Sequence, residues 1–173
     1  MSLLIRKLEA EDCPIIADAF AQIGWASHKP LSQYERYLEE QLNGEREVLT
    51  AFDDGAFAGY VTIVWEPTYA PFRANGIPEV QDFNVLPDFR RRKIGTALMD
   101  RAEERISARS SIVGIGVGMY ADYGNAQRLY VKRGYVPDGR GLTYAGEVVP
   151  PMESVVNDDD LVLYFTKSLA RNT

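Results

Sequence analysis

The sequence predicts an α/β fold, and three observations support this prediction. The chain has 173 residues, which is enough for one domain with a sizeable hydrophobic core. Hydrophobic residues make up 46% of the chain and charged residues 25%, as in an ordinary globular protein. Runs of β-branched and aromatic residues alternate with stretches in which apolar residues recur at helical spacing. We therefore expect residues 1–173 to form a single domain of mixed helices and strands.

The N-terminal part of the chain predicts one strand followed by two helices. Residues 4–8 are expected to form the strand. Apolar residues then recur at helical spacing, and Gly24 is expected to end the first helix. Ser32 and Glu35 have the spacing of a capping box, so the second helix is expected to begin near Ser32 and to stop at residues 43–44.

The centre of the chain predicts three strands. Residues 48–52 and 57–65 are rich in β-forming side chains, and the Asp54-Gly55 pair between them is a strong hairpin signal. Residues 66–76 contain two prolines and predict a loop. Residues 77–85 predict the next strand, which the following proline should end because proline cannot donate to a hydrogen-bond ladder.

Four consecutive basic residues, at positions 90–93, stand directly before a predicted helix over residues 92–107. Cations at a helix N-terminus oppose the macrodipole, so their presence indicates that an anion is expected there. The amides of a helix N-terminus are ready donors for an anion. Gly95 has no Cβ, so a phosphate can approach the backbone closely. This stretch therefore predicts a pyrophosphate-binding turn.

The C-terminal part of the chain predicts three further strands and a helix. Residues 112–119 are expected to form a strand and residues 125–133 a helix. Residues 135–136 begin another strand, and residues 161–165 form the last one. The segment between them, residues 137–160, is rich in Gly, Pro and Asp and is expected to be irregular.

Three alternating glycines mark the strand predicted after the basic turn. Gly114, Gly116 and Gly118 leave one face of this strand without side chains. A ligand or another backbone can approach such a face, or a helix can pack on it, and the sequence favours neither. Their spacing differs from the dinucleotide-binding fingerprint and no helix follows at once, which excludes a Rossmann-type site.

Two motifs in this chain resemble the signatures of the GNAT superfamily of acyl-CoA-dependent N-acyltransferases. The segment from Arg90 to Ala97 is similar to the Q/R-x-x-G-x-G/A motif, with Lys93 in place of its first glycine. The segment from Asn125 to Tyr135 is similar to the N-x-x-A/R-x-x-L-Y-x-x-x-G-F/Y motif. The resemblance implies a strongly twisted mixed sheet of about six or seven strands, flanked by helices on both faces.

The resemblance also implies acetyl-CoA as the co-substrate and no metal. In the family, the turn before the helix holds the pyrophosphate, and the backbone of the preceding strand binds pantetheine and polarises the thioester carbonyl. The cofactor-binding residues implied here are Phe83, Asn84, Val85, Arg90, Arg91, Arg92, Lys93, Ile94, Gly95, Thr96 and Asn125. Asn125 is also expected to cap its helix.

Three residues are candidates for catalysis. The Tyr130 phenol, with an ordinary pKa of about 10, would hydrogen-bond or protonate the leaving thiolate, as the equivalent family tyrosine often does; the alternative is a packing role. Glu79 and, after it, Asp82 are candidate bases for an acceptor ammonium. Glu79 stands eleven residues before Arg90, and some family members carry a glutamate base at that spacing. Strand alternation puts Glu79 and Asp82 on opposite faces unless a bulge intervenes. Either carboxylate is equally explained as a solvated group or as one that attracts a cationic substrate.

Aromatic residues near the predicted acceptor side form another candidate set. In the family, the first two helices and the loop after the third strand form the acceptor pocket, and aromatic rings there hold apolar or cationic groups. The candidates here are Trp25, Tyr34, Tyr37, Tyr69 and Phe72. Core packing is the alternative, for Trp25 and one tyrosine in particular, and it is favoured for at least half of the set. A nucleophilic pair of Cys13 and His28 is disfavoured against a buried structural thiol.

Composition restricts the partners and the location. The net charge of −6 and the pI of about 4.9 argue against nucleic-acid binding and are compatible with a cationic acceptor. A single cysteine permits no intrachain disulfide, and no apolar run is long enough for a signal peptide or a membrane span. We expect a cytoplasmic protein that does not bind membranes.

The predicted function is transfer of an acetyl group from acetyl-CoA to a primary amine of a small molecule or peptide. Both substrates would be bound together, and the transfer would be direct. The alternative is a non-catalytic acyl-CoA-binding domain that senses the ligand or regulates a partner. Homodimers are common in the family, and residues 137–160 are a candidate dimer interface.

Overall fold

The computed structural model describes residues 2–25 and 28–170. Within these residues it has a mixed α/β fold, with eight strands in one open sheet and five α-helices. The strands are β1 (Leu3–Lys7), β2 (Arg46–Asp53), β3 (Ala56–Val64), β4 (Glu79–Val85), β5 (Ile112–Gly118), β6 (Val136–Tyr144), β7 (Glu147–Val148) and β8 (Leu161–Ser168). The helices are α1 (Asp12–Ile23), α2 (Leu31–Leu42), α3 (Ala70–Ala74), α4 (Ile94–Ser107) and α5 (Gly124–Lys132).

The predicted number of six or seven strands is too low. Residues 137–160, expected to be irregular, contain most of β6 and all of β7. Gly139 and Gly141 in β6 have φ angles of 85° and 75°, and the β6–β8 register shifts between Pro137 and Leu142. Left-handed glycines in an irregular register do not give the alternating pattern by which a strand is recognised.

The chain divides into two compact units. Unit 1 comprises the described residues of 1–65 and 81–105, and unit 2 those of 66–80 and 106–173. Strand β4 and helix α4 each run from one unit into the other. A single domain over the whole chain stays a prediction.

In unit 1, β1, β2 and β3 pair in antiparallel order. The predicted hairpin is confirmed: Asp54 and Gly55 have φ angles of 49° and 83°, as a type I′ turn requires at both central positions. The Leu86 amide donates to the Ala58 carbonyl over 2.9 Å, which joins the end of β4 to β3. A Cβ at Gly59 would overlap the Asn84 carbonyl oxygen, so this close approach of the two strands requires glycine.

Helices α1 and α2 contribute to an apolar core in unit 1. The core cluster is Leu8, Cys13, Ile16, Phe20, Tyr34, Tyr37, Val48, Phe52, Phe57 and Tyr60. Helix α1 ends where predicted, because Gly24 adopts the left-handed conformation with φ 69°. The predicted capping box is wrong: α2 begins at Leu31 with Pro30 as its N-cap and no side-chain cap.

In unit 2, the first two residues of β4 pair in parallel with β5, at Glu79–Gly114 and Val80–Ile115. Strand β8 pairs in antiparallel with β5 and with β6, and β6 pairs with β7. The loop predicted over residues 66–76 contains the short helix α3, which has a proline in its first turn.

Aromatic rings cover the alternating glycines of β5. A Cβ at Gly114 would overlap the Phe72 ring, and one at Gly118 would overlap the Tyr123 ring. A Cβ at Gly116 would lie 2.9 Å from Tyr164. The glycines therefore make room for side chains of unit 2, one of which, Phe72, comes from a helix.

None of the helices that the structure describes is both long enough and apolar enough to cross a membrane.

Candidate functional site

The predicted phosphate turn lies in unit 1 and has an unusual backbone. Arg91 and Lys93 have φ angles of 63° and 62°, in the left-handed region. Helix α4 therefore begins at Ile94, two residues later than predicted. The Lys93 carbonyl accepts the Ala97 amide over 3.0 Å and thus closes the first helical turn. The amides of the first turn of a helix have no acceptor within the helix, so they are donors for an anion.

Packing against β4 is a structural reason for glycine at position 95. A Cβ at this position would lie 3.0 Å from Cζ of Phe83 and 3.6 Å from Cγ2 of Val85. The side chains of β4 thus pack directly beneath the start of α4. Close approach of a phosphate at Gly95 stays a prediction from the sequence.

Two of the four basic side chains at the turn have partners within unit 1. The Arg92 guanidinium lies 3.1 Å from the carboxylate of Asp53, whose side chain is only 4% exposed. The Arg90 guanidinium donates to the Val85 carbonyl over 3.3 Å and lies 5.8 Å from the centroid of the Trp25 ring. Arg92 therefore compensates a buried carboxylate, a structural role that the sequence did not reveal.

Asp82 stands at an irregular position of β4, with φ 49°. A residue in the left-handed conformation departs from the extended backbone on which strand alternation depends, so alternation does not fix the direction of this side chain. Its carboxylate accepts hydrogen bonds from four side chains. Oδ1 accepts from Lys29 Nζ over 2.8 Å and from Asn84 Nδ2 over 2.9 Å. Oδ2 accepts from the hydroxyls of Tyr37 over 2.9 Å and Tyr60 over 2.6 Å.

The tyrosines around Asp82 are held in their neutral form. Burial, and next the Asp82 carboxylate, raise the pKa values of Tyr37 and Tyr60 well above the ordinary phenol value. Burial also raises the pKa of Tyr34 to about 12. These phenols therefore remain donors at neutral pH, and two of them donate to Asp82.

A cavity of about 50 Å³ lies beside this carboxylate in unit 1. Its walls are Phe20, Trp25, His28, Lys29, Tyr34, Tyr60 and Asn84. Aromatic side chains and three polar side chains that bond Asp82 therefore line the same cavity. Lys29 presents an ammonium group there.

Tyr130, in unit 2, is 5% exposed and lies in α5. Burial raises its pKa above the ordinary phenol value. Its ring centroid lies 5.9 Å from that of Tyr135, at an interplanar angle of 58°. The group is therefore a protonated phenol at neutral pH, able to donate a proton or a hydrogen bond. Asn125, in the same helix, is exposed; the expected cap is wrong, because the N-cap of α5 is Tyr123.

Glu79, also in unit 2, is the first residue of β4 and is 5% exposed. Its charge contributes to raising the pKa of Tyr164 to about 12, although burial of that phenol has the larger effect. Tyr164 stacks on Tyr69 with ring centroids 3.6 Å apart, and the Tyr69 hydroxyl donates to Asp138 over 2.7 Å. Glu79 is therefore a buried carboxylate beside a stack of tyrosines.

The aromatic candidates divide between the two units. Trp25 and Tyr34 line the cavity of unit 1, and Tyr37 bonds Asp82. Tyr69 and Phe72 belong to unit 2, where Phe72 covers Gly114 and lines a separate cavity of about 260 Å³. Tyr34, Tyr37, Tyr69 and Phe72 are buried, as expected where core packing was favoured for at least half of this set.

Sequence reasoning missed the side chains of Lys29, Tyr60 and Asn84. Lys29 lies 53 positions from Asp82 in a loop without a motif. Tyr60 is one of several aromatic residues in a β-rich run. Asn84 was considered only for its backbone. The Cys13 thiol is 2% exposed and its pKa is raised by burial, as expected of a structural thiol, and the His28 ring bonds the Trp25 carbonyl.

Comparison with known proteins identifies the family. The sequence matches the model of the Acetyltransferase (GNAT) family over residues 6–135, and the chain belongs to this family. This match confirms the resemblance seen in the two motifs. Members of the family use acetyl-CoA. No curated protein matches the sequence.

Solved structures with the same fold include three acetyltransferases that cover 96–99% of this chain. The ribosomal-protein-alanine N-acetyltransferase from Brucella melitensis is 18% identical, with a TM-score of 0.69 and 99% of its own chain covered. A chimera of spermidine N-acetyltransferase from Vibrio cholerae and hSSAT is 15% identical, with a TM-score of 0.69 and 96% covered. The yncA acetyltransferase from Salmonella typhimurium, solved with its cofactor acetyl-CoA, is 16% identical, with a TM-score of 0.69 and 96% covered.

Proposed function

We propose that this protein is an N-acetyltransferase that moves an acetyl group from acetyl-CoA to a primary amine of a small molecule or peptide. The observation that carries the proposal is the Asp82 carboxylate beside an aromatic-walled cavity in unit 1. A carboxylate can pair with a protonated amine, and aromatic side chains nearby can add an attraction for the cation. The net charge of −6 favours the approach of such a cation.

The residues of the turn fit the pyrophosphate of acetyl-CoA. The amides of residues 94–96 open a helix of 14 residues, and first-turn amides are donors for an anion. Arg91 and Lys93 are exposed cations at the same turn. When bound, acetyl-CoA supplies an acetyl group activated as a thioester. We assign its pyrophosphate to residues 90–96 and its pantetheine arm to the backbone of residues 83–85, with Asn125 as a further contact.

Tyr130 is proposed as the general acid. A buried, protonated phenol can hydrogen-bond or protonate a leaving thiolate, and it does not compete as a base. For the base we propose Asp82, because its carboxylate already contacts an ammonium at 2.8 Å. Glu79 remains the alternative base, since it is a buried carboxylate on the same strand.

Two kinds of acceptor are represented among the structural relatives, one named for spermidine and others for a protein alanine. We propose a cationic primary amine and leave the rest of the acceptor open. The single cysteine is a buried free thiol, which favours a reducing compartment, and we place the protein in the cytoplasm.

The experiment that tests the proposal combines binding with turnover. Acetyl-CoA and CoA at 100 times their dissociation constants should each stabilise the protein by about 2.7 kcal/mol, and ATP should not. A panel of amines, including spermidine and an alanine-terminated peptide, is then assayed for release of free thiol. Thiol release with any amine supports the enzyme. Stabilisation by CoA without turnover of any amine would favour the sensor alternative, and no stabilisation would refute both.

A further inference from the structure

The ammonium of Lys29 occupies the position that the proposed function gives to the acceptor. Its Nζ lies 2.8 Å from Oδ1 of Asp82, in a pair whose side chains are 34% and 15% exposed. The same Oδ1 accepts from the Asn84 amide at 2.9 Å. Lys29 also lines the aromatic-walled cavity. A lysine side chain is itself a primary amine on a flexible stem, and here it reaches the candidate base.

Asp82 links this amine to the segment that the proposed function gives to the acetyl donor. Phe83, Asn84 and Val85 follow directly and are the residues assigned to the pantetheine arm. Lys29 Nζ and the side-chain amide of Asn84 donate to the same carboxylate oxygen, at 2.8 Å and 2.9 Å, so one acceptor connects the amine to a residue of that segment. An amine held next to an activated acetyl group reacts as if at high local concentration.

We infer that Lys29 is an internal acceptor and that the protein acetylates it with its own acetyl-CoA. This inference rests on the proposed function, because it uses the same carboxylate and the same acetyl donor. Asp82 Oδ1 takes one proton from the ammonium, and the resulting amine attacks the carbonyl carbon of the thioester. The C–N bond forms as the C–S bond breaks. The nitrogen loses its second proton, the departing sulfur gains one proton to become a thiol, and Asp82 releases the other to solvent.

Acetylation of Lys29 would change the site. The amide product is uncharged, so Asp82 would lose its cation and keep the three donors Asn84, Tyr37 and Tyr60. A carboxylate without a cation binds an external ammonium better, because no internal charge has to be displaced. The modification would therefore increase the affinity for a cationic acceptor.

Peptide mass spectrometry tests the inference without knowledge of the natural acceptor. The full-length protein is incubated with acetyl-CoA at several protein concentrations, and acetylation is followed at Lys29, Lys7 and Lys132. We expect acetylation at Lys29 with a first-order rate constant that does not depend on protein concentration, since the reaction is intramolecular. Chemical acetylation would instead favour exposed amines such as Lys7, which is 55% exposed.

Two variants complete the test. Asp82→Asn removes the proton acceptor and should slow acetylation of Lys29 at least about a hundredfold, as loss of a general base does. Lys29→Arg keeps the cation and cannot be acetylated, so the mass gain of one acetyl group should disappear. Thermal stabilisation by CoA shows that each variant is folded and binds the cofactor.

The outcomes separate the inference from the proposed function. Turnover of an external amine with an unmodified Lys29 would overturn the inference alone. A rate constant for Lys29 acetylation that rises in proportion to protein concentration would also overturn the inference. Equal acetylation of Lys29, Lys7 and Lys132 would do the same. Absence of both CoA stabilisation and turnover would instead refute the proposed function.

Discussion

At the scale of single residues, the hydroxyl of Tyr130 is the group whose loss should be most informative. Tyr130→Phe is expected to lower kcat by about a hundredfold or more, because a general acid typically contributes that much. The Kd for acetyl-CoA should not change, since the ring and its packing remain. Burial raises the pKa of this phenol, so it should add no loss of activity between neutral pH and about pH 10.

Tyr135→Phe is the matched control for this variant. Tyr135 is 1% exposed and its ring lies 5.9 Å from that of Tyr130, so both substitutions delete one buried hydroxyl from the same pair. Equal losses of kcat in the two variants would indicate a structural effect and would contradict the role of Tyr130 as an acid.

Lys93 gives a second prediction at this scale, because it adopts φ 62° where L-residues are strained. Lys93→Gly should leave the free energy of unfolding unchanged within about 0.5 kcal/mol or raise it, since relief of strain offsets the extra flexibility of glycine. Arg101→Gly, inside α4, should lower it by about 1 kcal/mol. Urea unfolding measures both free energies, and a similar decrease in the two variants would argue against strain at the turn.

The residue that the sequence could not orient was Asp82. The phosphate turn that follows it in the chain, residues 90–96, could be predicted because its motif lies in one short stretch of sequence. The direction of the Asp82 side chain depends on φ 49° at one residue, and its ammonium partner comes from position 29. Neither this backbone angle nor a pairing across 53 positions leaves a signal in periodicity.

At the scale of elements, the glycines of β5 and the helix α3 depend on each other. Gly114→Ala should lower the free energy of unfolding by about 1–3 kcal/mol, because the new methyl group overlaps the ring of Phe72. The same substitution in a Phe72→Leu background should cost less, because the smaller side chain can move away. Urea unfolding of the four proteins in this double-mutant cycle gives the coupling free energy.

Gly124→Ala is the control for this cycle. Gly124 is the first residue of α5, and a Cβ there would have no neighbour within 4 Å. This variant should be neutral or slightly stabilising, since alanine favours helix. If Gly114→Ala lowered the free energy of unfolding equally with Phe and with Leu at position 72, the Phe72 ring would not explain why residue 114 is glycine.

Elements with a strong local signal were predicted well, and elements fixed by tertiary contacts were not. The Asp54-Gly55 hairpin and the end of α1 at Gly24 follow from the conformational freedom of single residues. Helix α3 has five residues, too few for a periodic pattern, and is held in place by Phe72. The two residues of β7 pair with Thr143 and Tyr144, a contact that composition alone does not predict.

At the scale of the whole molecule, buried phenols should make the protein sensitive to alkali. Burial raises the pKa values of Tyr34 and Tyr164 to about 12, above the unfolded value of about 10. The folded state therefore retains these protons more tightly than the unfolded state does. Their contribution to stability is complete below about pH 10 and is lost as the pH rises toward the folded pKa values.

The midpoint of urea unfolding should consequently fall between about pH 10 and pH 12. Tyr34→Phe should reduce the slope of this fall, because the aromatic packing of Tyr34 on Tyr60, with centroids 5.8 Å apart, is kept while the ionisable group is removed. Absorbance of tyrosinate, recorded in parallel, should show that the buried phenols ionise only as the protein unfolds. Ionisation of all tyrosines near pH 10 in the folded protein would contradict this account, because it would mean that solvent reaches the phenols around Asp82.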